Sequence, residues 1–332
     1  MLPTDRSSEA YADTMPMGST EEAEARLGAS AAAERRAHSR WPRLLLAALL
    51  ALLAVELGAT LVQHLRVPSE TDWQAASKAV RRDWRRYGDA LLFAPAWVDP
   101  LGRQHLGDLL TLESASLSDV DRFSRVYQVS VRGGVHPFVA GLRPSSTDRF
   151  GGVTVTRYDK PAEKVTYSFY HRLGEAQVER AGPTPARCVR QPHPYGATRI
   201  RFVCDDRASW NWVGQHLAEV NHRPYHCIYA HPFEGHRMRV TFPNVPRSRR
   251  LVVYTGLDDF ENRKKSKAPV TLEVFVGERR VGQIRHDSDS PWRRTELGFG
   301  ETSGAALHPV RFEVTTDLAY ARTFCFTAEA RN

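Results

Sequence analysis

Residues 270–286 read VTLEVFVGERRVGQIRH. From Thr271 to Val276 the side chains alternate: Leu272, Val274 and Val276 share one face, and Thr271, Glu273 and Phe275 share the other. That period of two is the signature of a strand with one buried face. Gly277-Glu278 interrupts the run and Arg280–His286 resumes it, which predicts a hairpin. The same texture extends on both sides. Short β-like runs occur at Ile200–Cys204, His226–Ala230, Arg237–Phe242, Arg249–Tyr254, Trp292–Leu297, Val310–Thr315 and Thr323–Ala328, separated by Gly, Pro, Asn and Asp. Many short strands with little helix predict a jelly-roll-like β-sandwich over 185–332.

Upstream the pattern is mixed. Trp73, Ala76, Val80 and Trp84 recur every three or four residues, so 71–87 is predicted helical. Ala90–Ala94 reads as a short buried strand, Pro95–Pro100 as a loop, and Leu117–Phe123 as a short helix capped by Ser118. Arg125–Val131 is a strong strand, followed by strands at Val153–Arg157 and Lys164–Phe169. Helix and strand in alternation predict a small α/β module over 67–184 with a parallel pair.

Further upstream, Leu44–Val62 reads LLLAALLALLAVELGATLV. About 20 apolar residues in a helix span the roughly 30 Å hydrocarbon core of a bilayer. Arg35, Arg36, Arg40 and Arg43 precede the run, whereas only Arg66 and Lys78 follow closely. The expectation is a single transmembrane anchor (41–66), a disordered cytoplasmic tail (1–40) and an extracytoplasmic, periplasmic α+β ectodomain. Glu56 sits inside the run beside Gly58 and Ala59, which makes it a candidate contact to a partner helix in the membrane.

The chain has 332 residues and a net charge of +8, and 40 of its 46 basic residues are Arg, scattered rather than clustered. With no nucleic-acid motif present, nucleic acid is not expected as a partner. All four cysteines follow the apolar run, as expected for disulfides in an exported domain. Cys188–Cys204 closes a hairpin-sized loop, and Cys227–Cys325 joins the first and last strands of the final domain; this is the favoured one of three pairings. No CxxC spacing suggests zinc.

Two stretches resemble known families. The pieces DWQAASKAV, GDALLFAPAW, HLGD and SRVYQVSV, within 72–131, resemble the extracytoplasmic segment of bacterial membrane glycosyltransferases that use polyprenyl-phosphate sugars. Those enzymes carry many membrane helices and a membrane-proximal acidic catalytic core, so the resemblance implies association with such chemistry, not catalysis. The pieces CIYAHP, VTLEVFVGERRVGQI, SPWRRTELGF, VRFEVTT and RTFCFTAEA, within 225–331, resemble galactose-binding-like and discoidin-like sandwiches attached to carbohydrate-active proteins. That resemblance implies a binding or accessory module.

Aromatic residues suited to stacking on a sugar are Trp210, Trp212, Tyr225, Tyr254 and Trp292. The expected ligand site is Trp292 and Tyr254, with Asp287 and Asp289 on the adjoining loop. Asp258 and Asp259 form an acidic turn that can hold Ca²⁺ through carboxylate and carbonyl oxygens. His216, His222, His226, His231 and His236 crowd twenty-one residues but match no metal-ligand spacing. There is no GxSxG, Walker loop or HExxH. The expectation is therefore a membrane-anchored envelope protein that binds a glycan or a lipid-linked sugar, or serves a glycosyltransferase complex. The alternatives are an enzyme on envelope polysaccharide using Asp99, Asp108, Asp258 or Asp259, and a structural protein-interaction module.

Overall fold

The computed structural model describes residues 41–62, 67–111, 116–192, 199–204, 210–259, 268–287, 290–300 and 306–332. The tail 1–40, the last four residues of the expected anchor, the basic run at 263–267 and Asp289 lie outside the described residues. Contacts group the chain into two units, Met1–Val67 and Pro68–Asn332. In the first, Trp41–Val62 form helix α1, whose length and composition are sufficient to cross a membrane. Its leucines are exposed.

The second unit opens with α2, Glu70–Asp83. Ser69 accepts from the Asp72 backbone, and the Asp72 carboxylate accepts from the Ser69 backbone in return, a capping box that fixes the helix start. The same carboxylate accepts from Gly152 N–H at 3.0 Å, and these backbone donors hold its pKa below the usual value. The helix buries Trp73, Ala76 and Val80, and ends before Trp84 takes an extended backbone. It is four residues shorter at its C-terminal end than the apolar spacing predicts.

A four-stranded sheet follows, made of β1 (Asp89–Ala94), β2 (Arg125–Val131), β3 (Ser146–Phe150) and β4 (Val153–Asp159) in the order β1-β2-β4-β3. The β1–β2 pair is parallel, as the α/β reading requires, and the other pairs are antiparallel. Every residue of β1 is buried because both its faces are covered. Leu91 and Phe93 pack with α2, whereas Ala90 and Leu92 pack with Leu117, Val120 and Phe123.

Two local readings are corrected. The stretch read as the loop Pro95–Pro100 leads into a helix, α3, at Asp99–Leu106. Pro100 lies in its first turn, where no backbone N–H is needed. The stretch Leu117–Phe123 is not a helix. Its carbonyls at Val120, Asp121 and Phe123 accept from Lys160 Nζ at 3.0–3.3 Å, and Asp119 accepts from the Asp121 backbone. These bonds compete with a helical ladder.

The rest is a sandwich of two sheets. One runs β16-β13-β18-β11-β10-β9-β8, with β5 also paired to β18. These strands are β5 (Val165–Ser168), β8 (Val189–Gln191), β9 (Arg201–Val203), β10 (Trp212–Val220), β11 (Arg223–Ala230), β13 (Arg250–Leu257), β16 (Arg293–Gly298) and β18 (Phe324–Arg331). The other runs β15-β14-β17-β12-β6-β7. Its strands are β6 (Gln177–Ala181), β7 (Ala186–Arg187), β12 (Arg237–Pro246), β14 (Val270–Val276), β15 (Arg279–His286) and β17 (Leu307–Thr316). β5 pairs with β18 and β6 with β12, so strands from residue 165 onward belong to the sandwich sheets, ahead of the expected 185.

Between the sheets lies one apolar core that includes Phe169, Phe242, Phe312 and Phe326, with Val240, Leu251, Leu272 and Val314. Full burial of each such side chain contributes about 1.5–3 kcal/mol. A second cluster covers the outer face of the first sheet: Trp212, Ala218, Val220, Tyr225, Cys227, Tyr229 and Cys325, with Trp292 against it. The two disulfides are Cys188–Cys204 and Cys227–Cys325, the pairing favoured from sequence.

Candidate functional site

The aromatic outer face of the first sheet meets different neighbours at its two ends. At one end it is roofed by residues 116–123 of the α/β layer. Trp292 stacks on Tyr225 (centroids 4.6 Å apart) and lies parallel to Tyr254 at 6.3 Å, while its Nε1 donates to Ser118 Oγ at 2.9 Å. Tyr254 is buried and donates its hydroxyl to Asp119. Arg331 joins Asp119 at 2.8 Å, Glu329 at 2.5 Å and Glu163 at 3.3 Å, and Arg294 reaches Asp121 at 2.7 Å. Burial alone would raise the Asp119 pKa, but the Arg331 charge and the hydrogen bonds hold it below the usual value. Burial raises Asp121, and the neighbouring Asp119 charge adds to it. The Tyr254 phenol is pushed above its ordinary range by burial, then by Asp119.

Trp292 and Tyr254, two of the expected ligand residues, are thus brought together; their polar atoms bond Ser118 and Asp119, and Tyr254 lines a cavity of about 90 Å³ with Tyr225, Asp119 and Arg331. Asp287 is exposed after β15 and pairs with Arg285 at 3.3 Å.

The acidic turn meets the β10–β11 connection. Both Asp259 oxygens accept backbone N–H groups, from Asn221 at 2.9 Å and His222 at 2.7 Å. Asn221 and His222 both have positive φ, 52° and 60°, the backbone of a two-residue hairpin turn between β10 and β11. Asp259 therefore braces that turn. Glu219, His222 and Asp259 place one ligand atom each within 4.8 Å of one another, and are the one such group among the described residues. Asp258 does not belong to it; its backbone N–H donates to Thr323. The other crowded histidines go elsewhere: His226 bonds Tyr170, His231 bonds Pro232, and His236 bonds Thr184.

At the opposite end the aromatic face is open. A cavity of about 550 Å³ is lined by Trp210, Tyr229, His231, Phe233, Glu234, Tyr320 and Thr323. Trp210 is 49% exposed and Tyr320 66% exposed. Tyr229 stands on β11, and the other side chains come from three connections: the segment ahead of β10, the β11–β12 turn and the β17–β18 turn. Trp210 is held by its surroundings. Its ring lies parallel to Phe233 (5.9 Å, 6°) and edge-on to His231 (4.8 Å), and its carbonyl accepts from Tyr229 Oη at 3.3 Å. Phe233 is in turn covered by the Arg180 guanidinium at 4.8 Å. Beneath the groove, Tyr229 pairs with Cys325 across β11 and β18, the two strands joined by Cys227–Cys325.

Of the groove residues, sequence reading picks out Trp210 among five aromatics. It misses Tyr320, Phe233 and Thr323. The available signal is an aromatic within Leu318-Ala319-Tyr320-Ala321, a turn between two strands where a core aromatic has no reason to stand.

No protein-family model matches the chain, and no curated protein matches it. Solved structures do. The chain is similar to the CBM51 of Clostridium perfringens GH95 in complex with methyl-galactose, at 11% identity over 46% of this chain and 92% of that one, with a TM-score of 0.27. It is similar to the CBM51-2 and INT domains of Clostridium perfringens ZmpB at 12% identity, over 74% and 47% of the two chains, with a TM-score of 0.32. The mannan-recognising carbohydrate-binding module TmCBM27 matches at 9% identity, over 52% of this chain and 96% of that one, with a TM-score of 0.27.

Proposed function

We propose that the chain is a membrane-anchored, glycan-binding accessory protein whose sandwich takes its ligand in the Trp210 groove. The observation that carries this reading is the exposure of Trp210 and Tyr320 across one concave, mostly apolar surface with Glu234, His231 and Thr323 among its polar edges. Pyranose C–H groups carry slight positive charge and suit the negative face of an aromatic ring. A pocket of a few hundred Å³ with a few convergent polar groups is the ordinary form of a small-ligand site. The similar solved modules are described with methyl-galactose and mannan, and a ligand of that class is proposed here from the groove itself.

In this reading α1 is the anchor and the sandwich lies outside the cytoplasm, where both disulfides persist. Glu56, with Gly58 and Ala59, is the proposed contact to a membrane partner such as a glycosyltransferase complex. Cross-linking in membranes with Glu56→Leu tests that contact; an unchanged partner set counts against it.

The groove is tested on a glycan array with the oxidised full chain in detergent micelles, with and without Ca²⁺. Selective binding that Trp210→Ala weakens at least about tenfold supports the reading. No binding, or binding indifferent to Trp210→Ala and Tyr320→Ala, overturns it. Calcium dependence removed by Asp259→Asn would add a metal at the β10–β11 turn.

A further inference from the structure

A second cavity, of about 320 Å³, lies where the carboxyl end of β1 faces the β10–β11 turn. Its wall has an apolar part, Leu91, Leu92, Phe93, Leu117 and Phe138, and a polar part, Asp99, Arg103, Ser116, His136, His222 and Arg223. The place is expected from topology: beyond the carboxyl ends of parallel strands the connecting loops part and leave a crevice. Here the β1–β2 pair is the parallel one, and α3 and the residues after β2 supply the loops.

The polar groups are positioned from beneath. Buried Gln128 accepts from the His136 backbone at 2.7 Å and donates to the Gly134 carbonyl at 3.3 Å. Gly134 presses on Pro95 so closely that an added Cβ would stand 2.6 Å from the proline nitrogen. His136 Nδ1 accepts from Phe138 N–H at 3.2 Å. The neutral ring then carries its hydrogen on Nε2, where it is a donor. Burial, and next the Arg223 charge, lower the His136 pKa to about 4, so the ring is neutral at ordinary pH. Asp99 already accepts from Arg103 at 3.0 Å. With Arg103 set against Asp99, Arg223 carries the remaining charge of the lining itself; its guanidinium also bonds Tyr225, and Glu219 and Asp259 stand behind His222.

We propose that this cavity binds a hexuronate-type sugar acid, a carboxylate on a hydroxyl-bearing ring, with Arg223 and the His136 N–H as the carboxylate's partners. One remaining positive charge in the lining matches one carboxylate. Ser116 and the Asp99–Arg103 pair offer acceptors and donors for ring hydroxyls, and half-buried Phe138 in the wall suits a ring's C–H face. Inorganic phosphate satisfies the charge but leaves that wall uncovered. The proposal stands apart from the Trp210 groove.

The test is calorimetric titration of the oxidised full chain in micelles with glucuronate, galactose and inorganic phosphate at equal ionic strength. Glucuronate binding at least about tenfold tighter than either other probe is expected. Arg223→Gln should weaken it by a similar factor without changing the melting temperature, Arg223→Lys should keep part of it, and Trp210→Ala should leave it intact. Three results would overturn the proposal: no glucuronate binding, equal binding of galactose or phosphate, or loss with Trp210→Ala but not with Arg223→Gln.

Discussion

Trp210 and Trp292 are the same residue in opposite employment. Trp292 is sandwiched by Tyr225 and Tyr254 and bonded to Ser118, so Trp292→Ala opens a gap between two layers. It should cost about 2–4 kcal/mol. Trp210 presents half its surface to solvent, so Trp210→Ala should change stability by less than about 1 kcal/mol while removing glycan binding. Thermal unfolding beside the array separates the two roles; a large stability loss at Trp210 would contradict the assignment. His286 offers a pH test. It is fully buried, its Nδ1 lies 3.2 Å from Thr255 Oγ1, and burial lowers its pKa from 6.5 to about 4. A depressed imidazole pKa means that the unfolded chain binds the proton first. The stability it contributes is complete above pH 6.5 and is lost as pH falls toward 4. Between pH 7.5 and 5 the loss from this group should be about 2 kcal/mol. Urea midpoints of parent and His286→Leu at both pH values check it: the variant should show the smaller drop, and equal drops would remove His286 from the account.

At the scale of elements, what was legible follows from how locally each element is determined. The β14 strand was readable to the residue because its alternation, Val270 to Val276, needs no neighbour to explain it. The β10 strand was not, since Gly214, Gln215 and His216 interrupt its apolar pattern. Gly214 is there because the Trp212 ring and the Ile200 carbonyl leave no room for a Cβ. Likewise α3 was hidden by Gly102, whose Cβ would meet the Phe93 ring at 2.1 Å. Such glycines answer a tertiary contact that lies elsewhere in the chain. The Trp210 groove was obscured by tertiary contacts too. Tyr225 and Tyr229 lie on one face of β11 and are both buried, yet one ends beneath the α/β layer and the other at the floor of the Trp210 cavity. The disulfides carry a prediction at this scale. In the loop-entropy description, removing the 98-residue closure with Cys227→Ser and Cys325→Ser should cost about 4–5 kcal/mol, and removing the 16-residue closure at Cys188 and Cys204 about 3. Only the first pair underlies the groove, so only its loss should also weaken glycan binding. Equal effects on binding would mean that the staple does not set the groove.

For the molecule as a whole, the buried Asp119–Arg331 pair ties the α/β layer to the sandwich. Breaking one side of a buried pair leaves an uncompensated charge and costs about 3–5 kcal/mol. Asp119→Asn should therefore lower the unfolding midpoint of both layers together; two separate transitions in the parent, read by tryptophan fluorescence and far-ultraviolet dichroism, would deny the coupling. The strand that supplies Arg331 has a further consequence. β18, residues Phe324–Arg331, is the common neighbour of β13, β11 and β5. Three strands synthesised earlier therefore wait, with edges unsatisfied, for a segment that follows all of them in the chain. The parallel pair and its helices need nothing from beyond residue 159 to form their own hydrogen bonds. A ribosome that stalls before residue 324 would release a chain with an assembled first layer and an open sheet beside it. Such a product is adhesive and open to proteases, and the cell would have to clear it.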